Sequence, residues 1–155
     1  MKITVIGPGA IGLVLAGSLD SKNQVSVLTK PEAYEKLKQN GLWIKERNKK
    51  RKINAKIITE IDDSEIVIIA VKGYDLSTAV NLLHNFKGKV IICQNGLKML
   101  NLNLEHSNDI YAIVTSMGAI STNNGVTEFK GTGRTVLGSL NNEKKKRDEI
   151  LNIFS

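Results

Sequence analysis

Short apolar runs alternate along this chain with longer, mixed stretches. Ile3, Val5 and Ile6, then residues 65–71 and 88–93, are nearly unbroken apolar runs. Runs of that length fit strands buried on both faces of a parallel sheet. Residues 24–29 read as a further strand of this set. Between them lie helix patterns: residues 10–19; residues 32–40, with Pro31 placed for a first helical position and Gly41 as the stop; residues 75–83, with Asp75 or Ser77 placed to cap; and a short helix at 98–104. Strands alternating with helices predict one sheet wound by crossover helices. Two hairpins are predicted beside it. One pairs residues 41–46 with 53–58. The other pairs residues 125–130 with 134–137 around Gly131 and Gly133. A strand at 110–115 precedes the second hairpin. Asn141, Asn142 and Glu143 start a last helix that runs into Ile150, Leu151, Ile153 and Phe154. That apolar end calls for cover, from a further domain, a partner or self-association.

The first strand leads directly into Gly7-Pro8-Gly9-Ala10-Ile11-Gly12, a G-x-G-x-x-G loop opening a helix. Strand, glycine loop and helix in that order form a dinucleotide-binding signature. Gly7 permits the turn, Gly9 lets a pyrophosphate approach the backbone, and Gly12 allows close packing of the helix. The unpaired N–H groups at the helix start then face the phosphates. The competing reading is a glycine-rich turn in another α/β protein. On this motif and the alternation around it, residues 1–155 are read as one α/β domain, a Rossmann-type doubly wound, mostly parallel sheet.

Charge changes the picture little. The net charge of +7 comes largely from six basic residues among positions 45–52 and four in succession at 144–147. Neither run holds an aromatic residue for base stacking, so a solvated hairpin tip and a solvated helix face are favoured over nucleic-acid binding. The basic balance does suit a polyanionic cofactor. No apolar run has the length of a membrane span. The chain opens almost directly on a strand, which argues against a signal peptide. Its one cysteine, Cys93, lies in an apolar run and reads as a buried thiol. These features predict a cytoplasmic protein with neither membrane nor nucleic-acid partners.

The cofactor type turns on the end of the second strand. A site for NAD usually carries an acid there to bind the ribose hydroxyls. This chain has Thr29 and Lys30, a hydroxyl and a cation where a 2′-phosphate would lie, which favours NADP(H). The other reading of Lys30 is an ordinary surface lysine. Lys72 follows the apolar strand at 65–71, and Asn95 follows the strand at 88–93. Both therefore fall at the carboxyl edge of the sheet, where open α/β folds bind ligands. There they could orient a nicotinamide ribose and a carbonyl compound, and Lys72 could stabilise charge on a carbonyl oxygen. A solvated strand-end charge is the alternative for Lys72. His84 and His106 read as a helix end and a surface loop, and no metal site is expected.

Taken together, VIGPGAIG at 5–12, AVKGYDL at 70–76 and ICQNGL at 92–97 resemble the N-terminal half of the ketopantoate reductases, the 2-dehydropantoate 2-reductases. Residues 41–44, 115–119 and 131–138 extend the resemblance over essentially the whole chain. It implies reduction of 2-dehydropantoate to pantoate with NADPH, on the route to pantothenate and coenzyme A. It implies that Gly7 to Gly12 hold the pyrophosphate, that Lys30 meets the 2′-phosphate, and that Lys72, Asn95 and Ala119 line the cofactor and the edge of a small 2-oxo acid substrate. Family members continue into a helical C-terminal domain that supplies a proton-donating lysine and substrate-holding residues. This chain ends before that domain, so it is expected to be incomplete for catalysis. The alternative function is a stand-alone, non-catalytic nucleotide-binding or sensing module.

Overall fold

The structure, a computed structural model, describes residues 1–96, 109–122, 124–140 and 144–154, with residues 144–147 described by their backbone alone. The elements run β1 (Lys2–Ile6), α1 (Ala10–Leu19), β2 (Gln24–Leu28), α2 (Pro31–Asn40), β3 (Trp43–Glu46), β4 (Lys49–Lys52), β5 (Ala55–Ile58), β6 (Ile66–Ile69), α3 (Leu76–Asn81), β7 (Lys89–Cys93), β8 (Ile110–Thr115), β9 (Gly118–Ser121), β10 (Val126–Gly131), β11 (Thr135–Ser139) and α4 (Lys144–Leu151). The helix expected at 98–104 and the capping residues 141–143 lie outside the described residues.

Seven strands form the main sheet in the order β11-β8-β7-β6-β1-β2-β5. All its pairings are parallel except that of β11 with β8. Alternate residues along each strand serve opposite faces. Ile3, Val5, Val27, Ile68 and Ile91 pack on the α1 side. Ile6, Leu28, Val67, Ile69 and Ile92 pack on the α3 side. Burying both faces explains why β6 is apolar at every position. Each such side chain contributes about 1.5–3 kcal/mol by leaving water.

Two buried hydroxyls interrupt this pattern. Thr4 and Ser26 sit on adjacent strands beneath the helix-free connection from β5 to β6. Both donate to the carboxylate of Asp62, at 3.0 Å from Thr4 and 2.8 Å from Ser26. Ser64 donates to it at 2.5 Å. Burial alone pushes the Asp62 carboxyl up. The bonds from Ser64, Ser26 and Thr4 and the charge of Lys56 outweigh that effect and hold it below its ordinary value.

A smaller sheet runs β4-β3-β10-β9. It covers the outer side of α1, which touches β1 and β2 on one side and β3, β9 and β10 on the other. A helix held between two sheets must be apolar all round, and Leu13, Val14, Leu15, Ala16 and Leu19 are all buried.

This second sheet departs from both expected hairpins. Residues 41–46 meet 53–58 only where the Ile53 N–H donates to the Leu42 carbonyl at 2.8 Å, and the expected hairpin between the two segments does not form. The basic run itself turns back on β3, so that Trp43 opposes Lys52 and Glu46 opposes Lys49. Arg47 makes that tight turn at a φ of 51°. β5 joins the main sheet beside β2 instead. The second hairpin is also absent. β10 pairs with β9 in the small sheet, while β11 pairs with β8 in the large one. Gly131 and Gly133 mark a crossing between sheets, not a turn. A Cβ on Gly133 would lie 2.3 Å from the carbonyl carbon of Ser116, because the chain crosses there in the other direction.

The apolar C-terminal face is covered in part by the domain itself. Ile150 and Ile153 are buried in the α1-side core, with Phe154 packed against it. Leu151 remains 45% exposed, and with Phe154 it borders an open cavity, so the cover is partial and the self-association expected at this end is not supported.

Candidate functional site at the carboxyl edge of the main sheet

The connection leaving the carboxyl end of β1 leads to β2 on one side, and the one leaving the neighbouring β6 leads to β7 on the other, so the two run in opposite directions along the sheet. A crevice opens outside the strand ends at such a switch point. The glycine loop leaves β1 there. Gly7 has a φ of +106°, and a Cβ on it would lie 2.9 Å from Val71 Cγ1 and 3.0 Å from the Ala70 carbonyl oxygen. Its N–H donates to the Leu28 carbonyl at 3.1 Å. Gly12 is tighter still. A Cβ there would sit 2.0 Å from the Gly7 carbonyl oxygen, so this glycine lets the helix close on its own loop and, at 3.4 Å, on Ala70 Cβ.

Gly9 differs from both. A Cβ on it meets nothing within 4 Å, and its backbone is extended at φ −77° and ψ −176°. The fold does not need a glycine at this position, and the open space beside it faces the start of α1. Leu13 N–H makes the first intrahelical bond, to Gly9 O at 3.0 Å. The N–H groups of Ala10, Ile11 and Gly12 thus have no acceptor within the helix, and no side chain caps it. Open space against unpaired N–H groups at the positive end of a helix suits a pyrophosphate. On the far side, Thr127 Oγ1 donates to Ala10 O at 3.1 Å, so β10 anchors the helix start.

The other predicted residues gather around this loop with one exception. Lys30 precedes α2 at the end of β2 and is 64% exposed on its side chain. Thr29 is buried at 2%, and its N–H donates to Ile58 O at 2.9 Å. Of the two, Lys30 is the one that reaches solvent. Lys72 and Asn95 are exposed just beyond β6 and β7. The Asn95 side-chain oxygen accepts the Thr115 N–H at 3.2 Å. Ala119 lies in the other sheet, opposite Phe129. Its strand, β9, runs from the end of β8 to Ser121, which pairs with Thr127.

Two residues escaped the sequence reading. Gln94 donates its side-chain amide to the Val71 carbonyl, which ties the end of β7 to the segment that carries Lys72. Asp75 occupies the N-cap position of α3 but makes no side-chain cap. Its carboxylate instead accepts from Lys30 Nζ at 3.3 Å. A polar residue next to an apolar strand end was the only signal for Gln94. The long-range partner of Asp75 left no local signal.

A cavity of about 1140 Å³ opens elsewhere, against the outer face of α1 between Val14, Ser18, Ile44, Arg51, Phe129 and Leu137. None of the carboxyl-edge residues lines it. The site is placed at the edge because the unpaired N–H groups and the cations are there. His84 follows α3, on the path back to the start of β7 and away from this edge. Among the described residues no cluster of His, Cys, Asp or Glu has metal-binding geometry. No described helix is long and apolar enough to cross a membrane.

The family model for ketopantoate reductase PanE/ApbA matches residues 3–142. The chain belongs to this family. A 2-dehydropantoate 2-reductase of Listeria monocytogenes is 30% identical over 145 residues, covering 87% of this chain and 49% of the relative. One from Pyrococcus horikoshii is 29% identical and covers 89% of this chain and 47% of the relative. The chain thus spans about half the length of the curated ketopantoate reductases it matches. Solved structures share the fold. A probable 2-dehydropantoate 2-reductase from Bacillus subtilis superposes with a TM-score of 0.85 at 22% identity, over 97% of this chain and 54% of that one. D-mandelate dehydrogenase, solved with NADH and anilino(oxo)acetate, superposes with a TM-score of 0.87 at 22% identity, over 99% and 53%. The Rossmann-type, mostly parallel sheet expected from the sequence is the fold of this family.

Proposed function

We propose that this chain is the NADP(H)-binding half of a ketopantoate reductase, acting on 2-dehydropantoate or a similar small 2-oxo acid. The observation that carries this reading is the open space at Gly9 beside the unpaired N–H groups of α1, at the switch point of the sheet. Gly7 to Gly12 receive the pyrophosphate. Lys30 rather than the buried Thr29 meets the 2′-phosphate. Lys72 and Asn95 face the nicotinamide ribose and the substrate. The bound cofactor supplies a hydride to the substrate carbonyl carbon. Lys72, a cation at that edge, stabilises the negative charge that develops on the carbonyl oxygen.

A positioned acid for the resulting alkoxide typically contributes about 10²–10⁴-fold. This reading gives Lys72 the electrostatic role alone and assigns the proton donor to a residue outside the described edge. On this reading the chain binds cofactor but turns over 2-dehydropantoate very slowly, and the donor comes from a substrate-holding domain. The Cys93 thiol is buried and pushed up to about 11 by burial, which keeps it in the unreactive thiol form.

Gly9→Val tests the site. A branched side chain fits the extended backbone and the free space, so the melting temperature stays unchanged while NADPH affinity falls by about a hundredfold or more, because the pyrophosphate loses its seat. A folded Gly9→Val variant that binds NADPH like the parent would contradict the proposal.

A further inference from the structure

The Lys30–Asp75 ion pair joins two strand connections separated by 45 residues in sequence. Lys30 follows β2 and Asp75 follows β6, and β1 lies between these strands in the sheet. The pair therefore spans the crevice at the end of β1, where the glycine loop leaves the sheet. Asp75 is the more enclosed partner, with its side chain 32% exposed against 64% for Lys30. It does not serve α3 as a cap, although it holds the cap position. A capping role therefore does not account for this acid, which sits 3.3 Å from the cation assigned to the cofactor phosphate.

Resting on the dinucleotide reading above, we infer that Asp75 is a cofactor-discriminating residue. In the free protein its carboxylate occupies the Lys30 ammonium. A ribose 2′-phosphate must take the lysine from it and come to rest beside a like charge. A ribose without that phosphate leaves the pair intact. A carboxylate also accepts through two oxygens, so Asp75 can take a ribose hydroxyl on one while holding Lys30 with the other. Lys30 thus favours NADPH and Asp75 opposes that preference. Specificity is the difference between two affinities, and a repulsive element changes it as surely as an attractive one. The pair sets a narrower preference than Lys30 alone would give, and the site accepts both dinucleotides.

Dissociation constants for NADPH and NADH would be measured on the chain itself and on Asp75→Asn, Lys30→Ala and the double variant, at one ionic strength. Asn keeps the shape of Asp without its charge, and an unchanged melting temperature would show that α3 is intact. The expected result is that Asp75→Asn raises the NADPH-to-NADH preference by about fivefold or more, and that the same change in the Lys30→Ala background moves it by a factor differing from this by about twofold or more, the signature of direct coupling. A preference left within about twofold of the parent by Asp75→Asn, with Lys30→Ala still weakening NADPH, would overturn the inference and leave the cofactor site standing. An equal effect of Asp75→Asn with and without Lys30 would also overturn it, since the acid would then act through bulk charge. If Lys30→Ala changed neither affinity, the phosphate contact itself would be wrong and the inference would fall with it. Failure of both dinucleotides to bind would remove the site altogether.

Discussion

In the large sheet, β6 reads Ile-Val-Ile-Ile and every residue is buried. In the small sheet, β4 reads Lys-Lys-Arg-Lys and every residue is exposed. Both are four-residue strands, but they are strands for different reasons. β6 is held by burial on both faces between β1 and β7. β4 is an edge strand, held by its pairing with β3, with Lys50 Nζ 4.7 Å from the Trp43 ring and Arg51 bridged to Asp20 at 2.9 Å. The parallel strands of the large sheet also bring their carboxyl ends to one edge, and Gly9, Lys30, Lys72 and Asn95 gather there. The small sheet collects no such set among the described residues. It encloses α1 and anchors its start through Thr127. On the proposed reading one sheet carries the chemistry and the other packs over the helix that serves it.

This contrast is testable by stability first. Ile68 in β6 is 0% exposed, so Ile68→Ala should cost about 2–5 kcal/mol in a denaturant titration, through lost burial and the cavity left behind. Lys49→Ala in β4 should stay within about 0.5 kcal/mol of the parent. Comparable losses at the two positions would break the distinction.

Cofactor binding sharpens the comparison, because both regions are basic. A charge-assisted contact to a phosphate contributes roughly 1.5–3 kcal/mol, so Lys30→Ala should weaken NADPH by about tenfold or more while NADH changes little. Neutralising Lys49 should leave both affinities nearly unchanged. If Lys49 mattered as much as Lys30, the cofactor would be responding to overall charge and not to the carboxyl edge.

A smaller effect concerns acid stability. The Asp62 carboxyl is held below its ordinary value in the folded state, so it favours folding above its unfolded value near pH ~4 and loses that contribution as the pH falls through the lower folded value. Asp62→Asn should therefore flatten the acid side of the stability profile, measured as denaturant midpoint against pH. An acid limb as steep as that of the parent would show that the Thr4–Ser26–Asp62 cluster does not contribute there.

The same contrast explains what could be read from the sequence. β1, β6 and β7 were legible because burial on both faces leaves an apolar run that few other structures require. The glycine loop was legible because Gly7 and Gly12 answer to local sterics. β4 was not, since a strand exposed on both faces has no hydrophobic period and looks like a charged turn. β9, with the sequence Gly-Ala-Ile-Ser, is too short to show one. Gly131 and Gly133 were misread because a close chain crossing and a tight turn demand the same residue. At the site, Lys30, Lys72 and Asn95 followed from their positions at strand ends. Asp75 appeared only as a helix cap, because its real partner is 45 residues away and only the fold brings the two together.

The central claim is that the carboxyl edge of the seven-stranded sheet holds the nicotinamide dinucleotide. Amide NMR shifts mapped during an NADPH titration test it most directly, since both sheets are observed in one experiment. The account predicts large shifts at Gly9, Ala10, Ile11, Gly12 and Lys30, smaller ones at Lys72 and Asn95, and near silence along β4. Shifts centred on β4 and the outer face of α1, with the glycine loop unmoved, would contradict it.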